Sequence, residues 1–199
     1  MSWSAPKRVA TFLLAALGVA YPVLVYFGLS VFPPQFILIG LLIVVLLRAV
    51  TFVFAERYAA AGLAVLVAII VAIGGIASEI LAIRFYPVIV SLTMGSVFTI
   101  TLFTDQPMVE RLARIKIPDL DDYSIAYTRK LTKVWIGFFA ANAIIAGWTA
   151  QYTSMEIWTL YNGLISYIVM GLLFVGEWPV RSILRARHDR KTRNGTETP

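Results

Sequence analysis

Six stretches of the chain are almost wholly apolar, and short polar intervals separate them. They run from Val9 to Phe27, Phe36 to Phe54, Tyr58 to Ser78, Ile80 to Phe103, Val134 to Ala150 and Ile157 to Val180. Apolar runs of about 18 or more residues match the thickness of a bilayer when they coil as helices. The pattern therefore predicts an all-α, polytopic transmembrane helical bundle of six spans. Residues 1–185 form a single transmembrane domain, and 186–199 a basic, disordered cytoplasmic tail. The first run resembles a signal peptide, with Lys7 and Arg8 before it and Gly18 and Ala20 ahead of Tyr21. It stays apolar through Val23, Leu24, Val25 and Tyr26, which favours a retained helix over a cleaved one.

The longest polar interval, Thr104 to Lys133, fixes the orientation. It holds Arg111, Arg114, Lys116, Arg129, Lys130 and Lys133, and loops rich in Lys and Arg stay cytoplasmic. With six spans, both termini are cytoplasmic too. Every Lys and Arg except Arg84 then falls on that side or at its edge, including Arg48, which lies in the last third of the second run and is expected to snorkel toward the surface. Within the loop, Met108, Leu112 and Ile115 recur at helical spacing between cationic residues. Pro107 to Ile117 thus reads either as an amphipathic helix on an anionic membrane face or as a plain solvated connector. Asp119, Asp121 or Ser124 is placed to cap the helix that follows.

Composition changes this picture little. Hydrophobic residues make up 59% and charged residues 14%, against roughly a quarter charged in soluble domains. The net charge of +6 would suggest nucleic acid in a soluble chain. Here the cations flank apolar segments, so the expected partners are the bilayer and anionic lipid at the basic loop and tail, and no nucleic acid. The absence of cysteine excludes disulfides, thiolate metal sites and a cysteine nucleophile. The single histidine, His188, stands between Arg187 and Asp189 in the tail, without the partners that catalysis or a metal needs. No hydrolase, zinc-protease, phosphate-loop or dinucleotide signature occurs, so no cofactor is expected.

Chemistry is left to polar groups in or near the membrane. Glu79, Arg84 and Tyr86 fall at the outer ends of the third and fourth runs. Tyr21 lies in the first, and Trp148, Glu156, Trp158, Tyr161 and Asn162 surround the last outer turn. Ionisable groups in a membrane are costly and tend to pair or to line wet cavities. The functional reading is an outer-leaflet pocket of Glu79, Arg84, Tyr86, Asn142 and Asn162, with Arg84 as the anion contact. The competing reading is an interfacial belt of Trp and Tyr with acids in water, the two asparagines bonding helices together. Glu177 and Arg181 are spaced as a structural helical pair. The third run is rich in Ala and Gly, as a helix buried in a bundle would be. An internal echo links Ala20-Tyr21-Pro22-Val23-Leu24-Val25 to Phe85-Tyr86-Pro87-Val88-Ile89-Val90, a pattern that transporter repeats and chance both produce.

Two stretches resemble a known family. Pro107-Met108-Val109-Glu110-Arg111-Leu112 and the run from Leu131 to Phe174 are similar to the second half of the septation protein A family of bacterial inner-membrane proteins. A related group, membrane proteins of aryl-polyene biosynthesis loci, resembles the chain at Tyr21 to Val23, Tyr86 to Val88, Glu110 to Arg114, Pro118 to Leu120, Tyr161 to Tyr167 and Gly176 to Trp178. The resemblance implies a multi-pass protein of the bacterial inner membrane, acting in envelope biogenesis, membrane integrity or division. It carries over no catalytic residue, and envelope or division proteins would be its partners. Three expectations follow: a non-enzymatic envelope-supporting protein, a small transporter or flippase-like helper for a lipid-linked product, or a membrane enzyme acting on acyl or isoprenoid chains. The oligomeric state is open.

Overall fold

A computed structural model describes residues 5–115 and 118–176. Lys116, the Glu177–Arg181 spacing, Trp178 and the basic tail with His188 lie outside the described residues. The described chain is helical, with no strand. Its elements are α1 (Ala5–Val31), α2 (Pro34–Phe54), α3 (Tyr58–Ala77), α4 (Glu79–Thr101), α5 (Met108–Arg114), α6 (Asp122–Tyr152) and α7 (Met155–Gly176). Five of them, α2, α3, α4, α6 and α7, are long and apolar enough to cross a membrane. Their large apolar side chains face outward, among them Ile43, Leu47, Ile69, Ile76, Ile144 and Leu172. Such a surface suits lipid and not water, so the chain is a multi-pass membrane protein.

The helix ends follow local chemistry. Pro34 opens α2 at the position where a missing N–H costs nothing. Glu56 turns the chain from α2 to α3 at φ 57°, a left-handed conformation that favours glycine. A single extended residue, Ser78, separates α3 from α4, and its hydroxyl accepts the Leu81 N–H at 3.3 Å. Glu79 is thus the first residue of α4, beside the positive end of its helix dipole. Helix α6 has 31 residues, about 46 Å at the α-helical rise, so it extends beyond a hydrocarbon core of about 30 Å.

Two helices carry proline in mid-course, Pro22 in α1 and Pro87 in α4. Proline has no N–H and leaves the carbonyl four residues earlier without its helical partner. In a bilayer bulk water is absent, so such a carbonyl needs a partner within the protein or an ordered water. The Tyr21 hydroxyl donates to the freed Ile83 carbonyl at 2.8 Å. The Tyr167 hydroxyl donates to the freed Gly18 carbonyl at 3.3 Å. Beside the Pro87 break, the Trp158 indole N–H donates to the Arg84 carbonyl at 3.0 Å. The echoed Tyr-Pro pairs also meet in space, Tyr21 and Tyr86 packing edge to face at 4.8 Å. Ile83 and Trp158 are fully buried in the core that Tyr21, Val25, Leu41 and Val71 complete.

The Tyr21–Pro87 relation makes a quantitative prediction. Interhelical hydrogen bonds in bilayers average about 0.6 kcal/mol and reach about 1.7, and a carbonyl with no other partner belongs near the upper value. Tyr21→Phe is expected to lower stability by that upper amount in reversible denaturation from mixed micelles. In a Pro87→Ala background, where residue 87 regains its N–H, the same change should cost less than half as much. An equal cost in both backgrounds would mean that Tyr21 is not covering the proline's orphan.

The basic loop is a folded cap. Helix α5 is shorter than Pro107 to Ile117 and packs on α6 with Glu110 buried, while Leu112 and Ile115 face outward. The Thr101 hydroxyl accepts the Met108 N–H at 2.9 Å, and the Asp121 carboxylate caps α6 through the Ser124 N–H at 3.3 Å. Its arginines bind the loop itself. Arg111 donates to the Gln106 carbonyl at 2.7 Å, Arg114 to the Pro118 carbonyl at 2.7 Å, and Arg129 to the Leu102 carbonyl at 2.7 Å. Arg114 also pairs with Glu110 at 2.8 Å. The solvated-connector reading of this segment does not survive these contacts.

Candidate functional site

Where α1, α4, α6 and α7 converge, the bundle holds a cavity of about 400 Å³. The two proline kinks stand at its wall, since Pro22 and Pro87 both line it. Its polar lining comes from Tyr21, Tyr86, Ser91, Asn142, Asn162, Ser166, Tyr167 and Arg48, and Phe138 and Phe139 are among its apolar lining. On the α1–α2 side, Gly18, Tyr21 and Tyr86 also line a second, apolar hollow of about 200 Å³. That hollow continues along the seam past Leu17, Leu24, Gly40 and Val44 to Phe36.

The polar side chains are arranged by a local change in α7. Residues Tyr161–Ile165 form a π-helical turn, and such turns often mark functional sites. Gly163 within it would bring an added Cβ to 3.3 Å from Val23 and 3.4 Å from Pro22, so glycine allows α7 to approach α1. Tyr161 donates its hydroxyl proton to Asn142 Oδ1 at 3.0 Å, and Asn142 Nδ2 donates to the Ser91 hydroxyl at 2.9 Å. Ser91 in turn donates to the Pro87 carbonyl at 2.9 Å. Asn162 is buried, and its Nδ2 donates to the Trp158 carbonyl at 2.9 Å and the Thr149 hydroxyl at 3.3 Å. Asn162 Oδ1 is buried with no partner.

Of the five residues singled out from sequence, the structure brings three to the cavity: Tyr86, Asn142 and Asn162. Glu79 and Arg84 are elsewhere. Arg84 reaches the C-terminal end of α6, donating to the Thr149 carbonyl at 2.7 Å and the Thr153 carbonyl at 2.6 Å. A cation there complements the helix dipole and satisfies terminal carbonyls. Arg84 pairs with neither Glu79 nor Glu156; among the described residues the one ion pair is that of Arg114 and Glu110. Glu79 and Glu156 each occupy the first turn of a helix, α4 and α7, where a carboxylate suits the dipole.

The residue that sequence reasoning placed elsewhere is Arg48. It does not simply run out to the surface: its side chain lines the cavity beside α1. A Cβ added at Gly18 would lie 3.4 Å from Arg48 Nη1, so the glycine leaves room for the guanidinium. The guanidinium carbon stands 6.0 Å from the centre of the Phe52 ring. Among the described residues its guanidinium has no ion pair and no hydrogen-bond acceptor. The arrangement offers one uncommitted cation, several hydroxyls and amides, and an adjoining apolar channel, a set suited to holding an amphiphile. Comparison of the chain with family models, with curated proteins and with solved structures found no match.

Proposed function

We propose that the chain is a six-span protein of the bacterial inner membrane, with both termini cytoplasmic, and that it binds an amphiphilic product of envelope lipid assembly inside its bundle. The sixth span is α1, whose 27 residues are ample for a crossing. The concentration of Lys and Arg in the loop and termini supports the orientation. The resemblance to septation protein A and to membrane proteins of aryl-polyene loci supports the setting. The role is non-enzymatic: the protein holds the amphiphile and presents or transfers it within the bilayer, together with envelope or division partners that meet the basic cytoplasmic face.

The observation that carries this reading is the cavity that Tyr86, Asn142, Asn162 and Arg48 line, with an apolar groove beside it that is open outward at Leu17, Leu24 and Phe36. Membrane helices rarely place an arginine against an internal space without function. A pure scaffold has no need of such a space. The test is a deletion strain whose lipids and pigments are extracted and compared with those of the parent and of the strain complemented with the intact gene. Accumulation or loss of one lipid or pigment species, reversed by complementation, is the expected result. Unchanged lipids with altered cell shape or division would instead assign the protein a scaffolding role.

A further inference from the structure

The cavity and the channel together specify the kind of amphiphile, and this inference rests on the amphiphile-binding reading above. We propose that Arg48 holds the anionic headgroup of a lipid, a phosphate or carboxylate, whose chain lies in the apolar channel between α1 and α2.

The argument begins with the energetic cost of Arg48. An arginine within a spanning helix is costly, most of all at mid-bilayer. A cation–π contact returns part of that cost, more where it is dry than where it is exposed. The Phe52 contact, at 6.0 Å, sits at the outer limit of that interaction and offsets only part of the cost. No carboxylate among the described residues offsets the rest. An anion on the guanidinium fork would, because charge-assisted and bidentate bonds are the strong class.

The surroundings suit a headgroup. Tyr86 lines the same space, and its hydroxyl makes no hydrogen bond within the described protein, leaving it available as a second donor. The channel accounts for the chain. It shares Gly18, Tyr21 and Tyr86 with the polar cavity, so the two spaces adjoin, and the headgroup is placed in one and the chain in the other. Along α2 the channel's lining runs from Phe36 to Val44, about 12 Å at the α-helical rise, so the channel holds part of an acyl chain and the rest continues into the surrounding lipid. Gly40 keeps it open, since nothing lies within 4 Å of the position a Cβ would take there.

The test is binding of two probes with the same palmitoyl chain, lysophosphatidate and the uncharged monopalmitoylglycerol, to the full chain purified in a nonionic detergent. Displacement of radiolabelled lysophosphatidate is the readout. A charge-assisted hydrogen bond is made by the anionic headgroup and not by the uncharged one, so lysophosphatidate should bind at least about tenfold more tightly than monopalmitoylglycerol. Arg48→Gln should bring the two within about twofold, and Arg48→Lys should keep part of the preference. Gly40→Leu, which fills open space, should weaken both probes and leave their ratio intact. Inorganic phosphate alone should displace nothing at the probe's concentration.

Equal binding of the two probes by the wild type would overturn the headgroup assignment and leave amphiphile binding standing, as would an unchanged ratio in a folded Arg48→Gln protein. Displacement by phosphate as effective as by lysophosphatidate would make the site one for a free anion and remove the lipid. Should the Arg48→Gln protein not fold, the wild-type ratio and the Gly40→Leu result decide alone. Failure of both probes to bind the wild type would sink this inference and the proposed function together.

Discussion

Arg84→Ala is expected to lower thermal stability by roughly 5–10 °C and to reduce the amount of protein in the membrane. The guanidinium donates two charge-assisted hydrogen bonds from α4 to carbonyls at the end of α6, Thr149 and Thr153. Bonds to charged groups are worth about 1.5–3 kcal/mol, and partial exposure of Arg84 together with the shared fork argues for a total of about 2–3. For a chain of this size each kcal/mol moves the midpoint by roughly 2–4 °C. Both bonds leave one nitrogen, Nη2, so Arg84→Lys should recover part of the loss, limited by the reach and flexibility of the ammonium stem. Melting curves of the purified proteins check this directly. The folded fraction of Arg84→Ala should retain the preference for the anionic probe. A variant that melts like the wild type but no longer binds the probe would return Arg84 to the role of anion contact that its position in the sequence suggests.

The second large effect belongs to the loop. Arg114→Ala leaves Glu110, 2% exposed, as a buried carboxylate whose other oxygen already lacks a partner. Breaking a buried pair from one side costs about 3–5 kcal/mol. Arg114 itself is 27% exposed, so about 3 is expected. A helix of 7 residues cannot absorb that and remain docked. The loss should appear as local release of α5 from α6, with trypsin cutting after Arg111 far faster than in the wild type. The double variant Arg114→Ala, Glu110→Leu should restore resistance, because replacing both partners removes the uncompensated charge. Inverted membrane vesicles are the preparation of choice, since they expose the cytoplasmic face. Cutting in right-side-out spheroplasts alone would reverse the proposed orientation.

Helices with long apolar runs were legible without the structure, and α2, α3 and α4 begin or end within two residues of their expected limits. The extension of α6 back to Asp122, under the Asp121 cap, follows from the turn chemistry that Pro118 and the acids announce. Tyr86, Asn142 and Asn162 could be named because polar groups stand out in apolar runs. Arg84 stands out for the same reason, but its target is a backbone carbonyl at the end of another helix. Side-chain sequence carries no sign of which terminal carbonyls need a donor. Arg48 was visible as a charge, yet whether it runs to the surface or into the bundle depends on the space left by Gly18 across the α1–α2 seam. The π turn at Tyr161–Ile165 has no composition signature of its own; it follows from how α7 meets Pro22 and Val23.

The two tyrosine bonds to proline-freed carbonyls bear on how the chain is assembled. A helix delivered alone into lipid with an unpaired carbonyl must take a temporary donor until its own partner arrives. Gly18 waits for a hydroxyl 149 residues further along the chain, and Ile83 waits for one from α1. Helix α1 is made before the donor it needs and so reaches its final form only after α7 has followed. Until α7 arrives, α1 remains a candidate for water, for other membrane proteins, or for the insertion machinery. Its proline thereby ties the final form of α1 to the docking of α7.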